Sequence, residues 1–189
     1  MDALTLLTAD HNRVRGLFTR FQGAHSADDG PQLVELATKI VEELEVHAEI
    51  EEQLFYPAVR EASEELREAV AEGLEEHHVA RTLLDEAKGL SPDDEAWVAK
   101  LLVLIESVEH HAGEEEQEMF PAVRKALGGE ALEELGVRLE GMKARLGAPT
   151  VADKEQLSTT ELQELAKEQQ VPGRSSMSRE ELLATVAPS

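Results

Sequence analysis

Apolar residues recur at steps of three and four along most of the chain. The first stripe is Leu4, Leu7, Val14, Phe18 and Phe21, with His11 set into its middle. That spacing marks one face of a helix. Residues Gly23 to Pro31 (GAHSADDGP) are dense in turn formers and predict a loop. A second helix is predicted from about Gln32 to about Arg60, with Ile40, Leu44, His47, Glu51, Leu54 and Ala58 on its stripe. Pro57 is expected to bend it or mark its last turns. Ser63 is the expected N-cap of a third helix ending near Gly89, striped by Val70, Leu74, His77, Ala80 and Leu84. After the loop GLSPDD, a long fourth helix carries Leu101, Leu104, Val108, His111, Glu115, Met119 and Ala122, and ends before Gly128 and Gly129. Glu130 to Leu146 form a fifth amphipathic helix bounded by Gly147 and Pro149.

Four of these helices are two copies of one design. HAEIEEQLFYPAVREA (His47 to Ala62) aligns without a gap to HAGEEEQEMFPAVRKA (His111 to Ala126). Each copy sets a Glu four residues after a His, which places both on one helical face. Upstream, the segment from Asp10 to Phe18 aligns with that from Glu76 to Leu84, so His11 pairs with His77 rather than with His78, which falls off the stripe. Two similar helix pairs predict an all-α fold built on an up-down-up-down four-helix bundle. The expected organisation is a bundle over 1–128, an additional helix over 129–148, a linker over 149–157 and a small module over 158–189.

Composition narrows the chemistry. The chain has 189 residues and no Cys, which excludes disulfides, thiolate chemistry and Cys-ligated metals. Forty acids against eighteen bases leave a net charge of −22, a field that repels nucleic acid and anionic membranes and concentrates cations. The N-terminus has no basic and apolar signal pattern, and no apolar run is long enough to span a membrane, so a cytoplasmic protein without membrane contact is expected.

Each bundle helix puts a His into its apolar stripe, and two of them add a Glu. Burying an unpaired carboxylate costs several kcal/mol. Four imidazoles and two carboxylates could answer one another as a polar network, but a bound cation satisfies them more simply. Six ligands are too many for one ion that must also leave room for water. Shared between two ions, each takes two His while both Glu bridge. Imidazole with carboxylate suits iron, manganese or zinc, and nitrogen-rich ligation of a bridged pair favours iron. The carboxylate-rich ferritin-like pattern needs Glu-x-x-His on two helices; only Glu75 and His78 have that spacing here.

The order Asp-His, HxxxEE with Phe-Tyr-Pro, Glu-His, HxxxEE with Phe-Pro resembles the hemerythrin family, and within it the HHE cation-binding branch, over about Asp2 to Leu127. The resemblance implies a four-helix bundle holding a non-haem di-iron centre with an oxo or hydroxo bridge. Its implied ligands are His11, His47, Glu51, His77, His111 and Glu115, both Glu bridging, and its implied small ligands are oxygen, peroxide or nitric oxide. Two departures stand out. Oxygen-carrying hemerythrins have a second His four residues after the third-helix His, where this chain has Arg81, and their last-helix acid is an Asp five residues after its His, where Glu115 comes at four. With one His fewer, both irons can keep an open position, which favours redox, sensing or iron-binding roles over reversible carriage. Glu114 is expected to face water or to support the ligands from behind, His110 to face outward, Glu52 and Glu116 to orient ligands or lie in solvent, and Tyr56 to pack, with radical quenching near an oxidising centre as its alternative role.

At the C-terminus, Ser158-x-x-Glu161 and Ser178-x-x-Glu181 read as capping boxes opening two short helices. LQELAKEQQVPGRSSMSREELLATV resembles the helix-extended-helix modules of the Rho N-terminal-like and SAP-like kind. Such modules often bind nucleic acid through a basic face. Here acids outnumber the bases Lys154, Lys167, Arg174 and Arg179, so protein contact or a stabilising role is the favoured expectation and nucleic-acid binding the lesser alternative.

Overall fold

The computed structural model describes residues 1–148, 158–168, 171 and 173–186; the linker expected over 149–157 lies outside the described residues. Everything described is helix or short connection. Helix α1 (Ala3–Ser26) is capped by Asp2, whose Oδ1 accepts from the Thr5 amide at 2.8 Å. Helix α2 (Gly30–Ile50) is capped by Asp29 and has Pro31 in its first turn, where the missing N–H costs nothing. The loop predicted over Gly23 to Pro31 is therefore shorter than expected. Ala24 is buried and holds α1 helical past Gly23, and Asp29 starts α2 at Gly30.

The predicted second and fourth helices each contain a wide turn. Tyr56 N–H bonds to Glu51 O, and Phe120 N–H to Glu115 O, five residues back in both cases. These π turns, Glu51–Phe55 and Glu115–Met119, pass into α3 (Tyr56–Ala62) and, after α4 (Arg67–Lys88) and α5 (Glu95–Glu114), into α6 (Phe120–Leu127). Pro57 and Pro121 explain them. Each lacks an N–H and crowds the carbonyl four residues earlier, so the preceding turn opens instead of closing. The added residue rotates the stripe by one position. Phe55, Tyr56 and Val59 become the buried residues, while the predicted Leu54 and Ala58 are only partly buried. Ser63 also departs from expectation. It is extended, but its side chain makes no capping bond, and a 3₁₀ turn (Glu64–Leu66) leads into α4.

The pairs α1/α2 and α4/α5 pack as two helical hairpins, and their cores form two layers with a polar zone between. One layer contains Phe18, Phe21, Leu36, Ile40, Leu84, Trp97, Leu101 and Leu104. The other contains Leu4, Leu7, Ile50, Phe55, Val70, Phe120 and Val123, together with Leu132, Leu135 and Leu139 of helix α7 (Gly129–Arg145). Helix α7 crosses the N-terminus so closely that a Cβ on Gly136 would clash with the Met1 carbonyl oxygen. The additional helix is thus part of the bundle's core. Helices α8 (Thr159–Glu168) and α9 (Arg179–Thr185) open with the predicted Ser158/Glu161 and Ser178/Glu181 boxes and enclose a small core of their own, Leu162, Leu165, Val171 and Leu182. Among the described residues no helix is long and apolar enough to cross a membrane.

Candidate metal centre

The polar zone between the two layers contains all six residues singled out from the sequence. His11 on α1, His47 on α2, His77 on α4 and His111 on α5 are buried, as are Glu51 and Glu115 at the first positions of the π turns. The imidazoles form two pairs: His11 Nε2 lies 3.0 Å from His47 Nε2, and His77 Nε2 lies 3.1 Å from His111 Nε2. Each carboxylate spans both pairs. Glu51 Oε2 is 3.2 Å from His47 Nε2 and 3.3 Å from His77 Nε2. Glu115 Oε2 is 3.3 Å from His11 Nε2 and 3.8 Å from His111 Nε2.

These groups leave polar capacity unanswered. Neither carboxylate oxygen of Glu51, nor Oε2 of Glu115, has a hydrogen-bond partner, and both side chains are buried. Such a carboxylate costs several kcal/mol unless a cation meets it. Four Nε2 lone pairs converging with those oxygens match the donor chemistry of two metal ions. The ligand atoms of His11, His47, Glu51 and Glu115 lie within 4.8 Å of one another, and so do those of Glu51, His77 and His111.

Behind every imidazole stands an acid. His11 Nδ1–H donates to Glu116 at 2.8 Å and His77 Nδ1–H to Glu52 at 2.9 Å. Arg15 holds Glu116 at 2.8 Å and Arg81 holds Glu52 at 2.7 Å. His111 Nδ1–H donates to Glu76 at 2.7 Å, and His47 Nδ1 faces Asp10 at 3.8 Å. A carboxylate on Nδ1 fixes the tautomer with its lone pair on Nε2, facing the centre. Glu52 and Glu116 therefore orient the His77 and His11 imidazoles. Arg81 sits on Glu52 and makes no contact with the imidazoles' Nε2 atoms.

The two halves differ beyond the ligands. Phe120 lies parallel to the His11 ring at 6.0 Å, while its counterpart Tyr56 lies against His77 at 5.5 Å and donates from Oη to Glu115 Oε1 at 2.9 Å. Tyr56 thus hydrogen-bonds a carboxylate of the polar zone as well as packing against His77. It fits because residue 73 is Gly; a Cβ there would lie 2.9 Å from Tyr56 Oη. On the opposite side, buried Lys143 of α7 forms an ion pair with Asp10. A cavity of about 50 Å³ adjoins the four His and is walled largely by Val14, Phe18, Leu44, Ala80, Leu84 and Val108.

The charges of the zone are interdependent. Burial alone would favour a neutral His47, but Glu51 and Asp10 outweigh it and push its pKa up to about 10. For Glu51 burial acts upward, and the His47 and His77 imidazoles override it, holding the carboxylate well below its usual range. Burial, with Glu51 and Glu115 nearby, pushes the Tyr56 hydroxyl far up, so it remains a donor. In the metal-free protein His47 and Glu51 thus act as each other's counter-ions.

His78, His25 and His110 are exposed, and His110 pairs with Glu114 at 3.2 Å, as outward-facing residues would. The orienting roles of Glu76, Glu52 and Glu116, and the place of Asp10 near His47, are visible in hindsight, since each acid recurs in register across the repeat. Gly73 and Lys143 carry no such signal, Lys143 because it lies outside the repeat.

A family model described as the hemerythrin HHE cation-binding domain matches residues 2–123. Among curated proteins, the chain is 29% identical over 146 residues to a protein from Nostoc sp. (strain PCC 7120 / SAG 25.82 / UTEX 2576) named DNA nickase. That match covers 77% of this chain and 40% of the relative, so the chain spans less than half of the relative's length. No solved structure matches the chain.

Proposed function

The chain belongs to the hemerythrin family through its HHE cation-binding domain, and from that premise we propose that it is a non-haem di-iron protein that binds or reacts with oxygen, peroxide or nitric oxide. His11 and His47 would hold one iron, His77 and His111 the other, and Glu51 and Glu115 would bridge them. The observation that carries this reading is the pairing of Nε2 atoms at 3.0 and 3.1 Å with one carboxylate oxygen of each Glu reaching both pairs. An iron pair held there would supply electron exchange with a small bound molecule.

The chain's own residues set the conditions for that chemistry. Glu52 and Glu116, held by Arg81 and Arg15, keep His77 and His11 in one tautomer and one orientation. Tyr56 fixes Glu115 through Oε1 and leaves Oε2 directed at the imidazoles. The apolar cavity of about 50 Å³ has room for a molecule of two or three heavy atoms and little for a larger substrate. Full-length protein loaded with ferrous iron is expected to retain two irons per chain and to change its optical spectrum on adding peroxide or nitric oxide. Protein that stays iron-free after loading sinks the reading.

A second reading keeps the centre and removes turnover, so that iron occupancy tunes bundle stability and contacts with a partner. The observation favouring it is the separate small core of α8 and α9, which would serve as a Rho N-terminal-like or SAP-like contact module for a protein or nucleic acid. The relative named DNA nickase adds a nucleic-acid direction. Two bound cations can in principle clamp a phosphodiester, but the centre is buried and the chain carries a charge of −22. Nicking of supercoiled plasmid by iron-loaded protein, absent in His77→Ala, would favour that direction; peroxide turnover without nicking returns the choice to the first reading.

A further inference from the structure

The half of the centre built by His77 and His111 adjoins a second cavity whose lining differs in kind from the apolar one. It measures about 80 Å³, and Glu72, Glu76, Glu114 and Glu118 wall it where it meets His111 and Glu115. Exposure falls along this wall, from exposed Glu72 and Glu118 through half-buried Glu76 and Glu114 to buried Glu115. On the outer side, Glu76, His110 and Glu114 each offer a ligand atom, all within 4.8 Å of one another. On the inner side, Glu115 lines the cavity at 2% exposure, with its Oε2 lacking any hydrogen-bond partner. Gly73 keeps the wall thin, because a Cβ there would stand 3.5 Å from His111 Cε1.

The internal repeat provides a control within the molecule. The positions equivalent to Glu72, Gly73, His110, Glu114 and Glu118 in the other half are Leu6, Leu7, Val46, Ile50 and Leu54. All five pack in the apolar layer that α7 completes. One end of the pseudo-symmetric centre is therefore sealed by hydrocarbon, while the other opens through carboxylates.

We propose that this acidic cavity is the route by which divalent cations reach the buried centre, with Glu76, His110 and Glu114 forming a transient capture site at its mouth. The inference rests on the di-metal reading of the centre. A hydrated divalent cation sheds water only where oxygen or nitrogen ligands replace it. The acidic wall offers such ligands step by step, whereas the cavity beside Val14 and Phe18, though Asp10, Glu45, Glu76 and Glu109 also line it, is walled mostly by hydrocarbon. A negative field that converges on a cleft also raises the encounter rate of cations.

Metal-free full-length protein mixed with Co²⁺ in a stopped-flow spectrometer tests the route. The variant His110→Ala/Glu114→Gln/Glu118→Gln spares all six proposed ligands and their orienting acids. The control Glu45→Gln/Glu109→Gln changes net charge equally at the rim of the apolar cavity. The triple variant is expected to load roughly tenfold more slowly and with a flatter salt dependence, while the control loads like the wild type. Final occupancy and the visible Co²⁺ spectrum should be unchanged in both. An unchanged rate in the triple variant, or an equal slowing in the control, overturns the route. A lower final occupancy in the triple variant also overturns it, because those residues would then belong to the resting site. Wild-type protein that binds no Co²⁺ overturns the di-metal reading and the route together; wild-type loading with an unaffected variant overturns the route alone.

Discussion

Tyr56 and Phe120 occupy equivalent positions of the internal repeat, yet only Tyr56 reaches a glutamate of the other copy, its Oη donating to Glu115 Oε1 at 2.9 Å. Both rings do the same packing work against a histidine. The hydroxyl is the difference, and it makes the centre chemically asymmetric. Tyr56→Phe keeps the ring and removes the donor to a buried carboxylate. Metal-free protein should lose roughly 2 kcal/mol of stability in urea unfolding. The reverse exchange, Phe120→Tyr, should not restore it.

Lys143 and Asp10 form a buried ion pair that ties α7 to the centre. Removing one partner strands the other charge, so Lys143→Met should cost about 3–5 kcal/mol in chemical denaturation. The double variant Lys143→Met/Asp10→Asn should recover most of the loss. A single variant as stable as wild type would show that the pair is solvated in solution.

Glu52 and Glu116 stand behind His77 and His11. Substituting either by Ala frees an imidazole to rotate and to change tautomer, and loss of such an orienting acid typically costs 10- to 100-fold in metal affinity. Competition with a calibrated chelator should show that loss in Glu52→Ala and Glu116→Ala. Arg81→Ala should show a smaller one, since it only steadies Glu52.

His47 gives the metal-free protein a defined pH response. Its folded pKa, about 10, lies above the ordinary value of 6.5, so protonation stabilises the folded state. That contribution is complete below about pH 6.5 and fades as pH rises toward 10. Metal-free protein should therefore lose thermal stability between those limits. Loaded protein should not show the same decline, because a ligating imidazole is already neutral. Loading itself should release protons, measurable by calorimetry in buffers of different ionisation enthalpy. Loading without proton release at neutral pH would contradict this account of His47.

The sequence alone determined the helices, the bundle and the six inward-facing ligand candidates. These rest on local periodicity and on a repeat whose two copies check each other; stripe and alignment agree in choosing His77 over His78. It could not reveal the π turns, because the stripe continues plausibly through Leu54 and Ala58 until Pro57 and Pro121 act on carbonyls a turn earlier. Only the tertiary structure decided what surrounds the ligands. Tyr56 meets Glu115 across 59 residues of chain and Lys143 meets Asp10 across 133, contacts set by how whole helices pack. Packing likewise seals one end of a symmetric motif with α7 and leaves acids around the other. Where the two copies diverge, as at Leu6 and Glu72 or Ile50 and Glu114, the helix that follows covers the apolar copy and leaves the acidic one open.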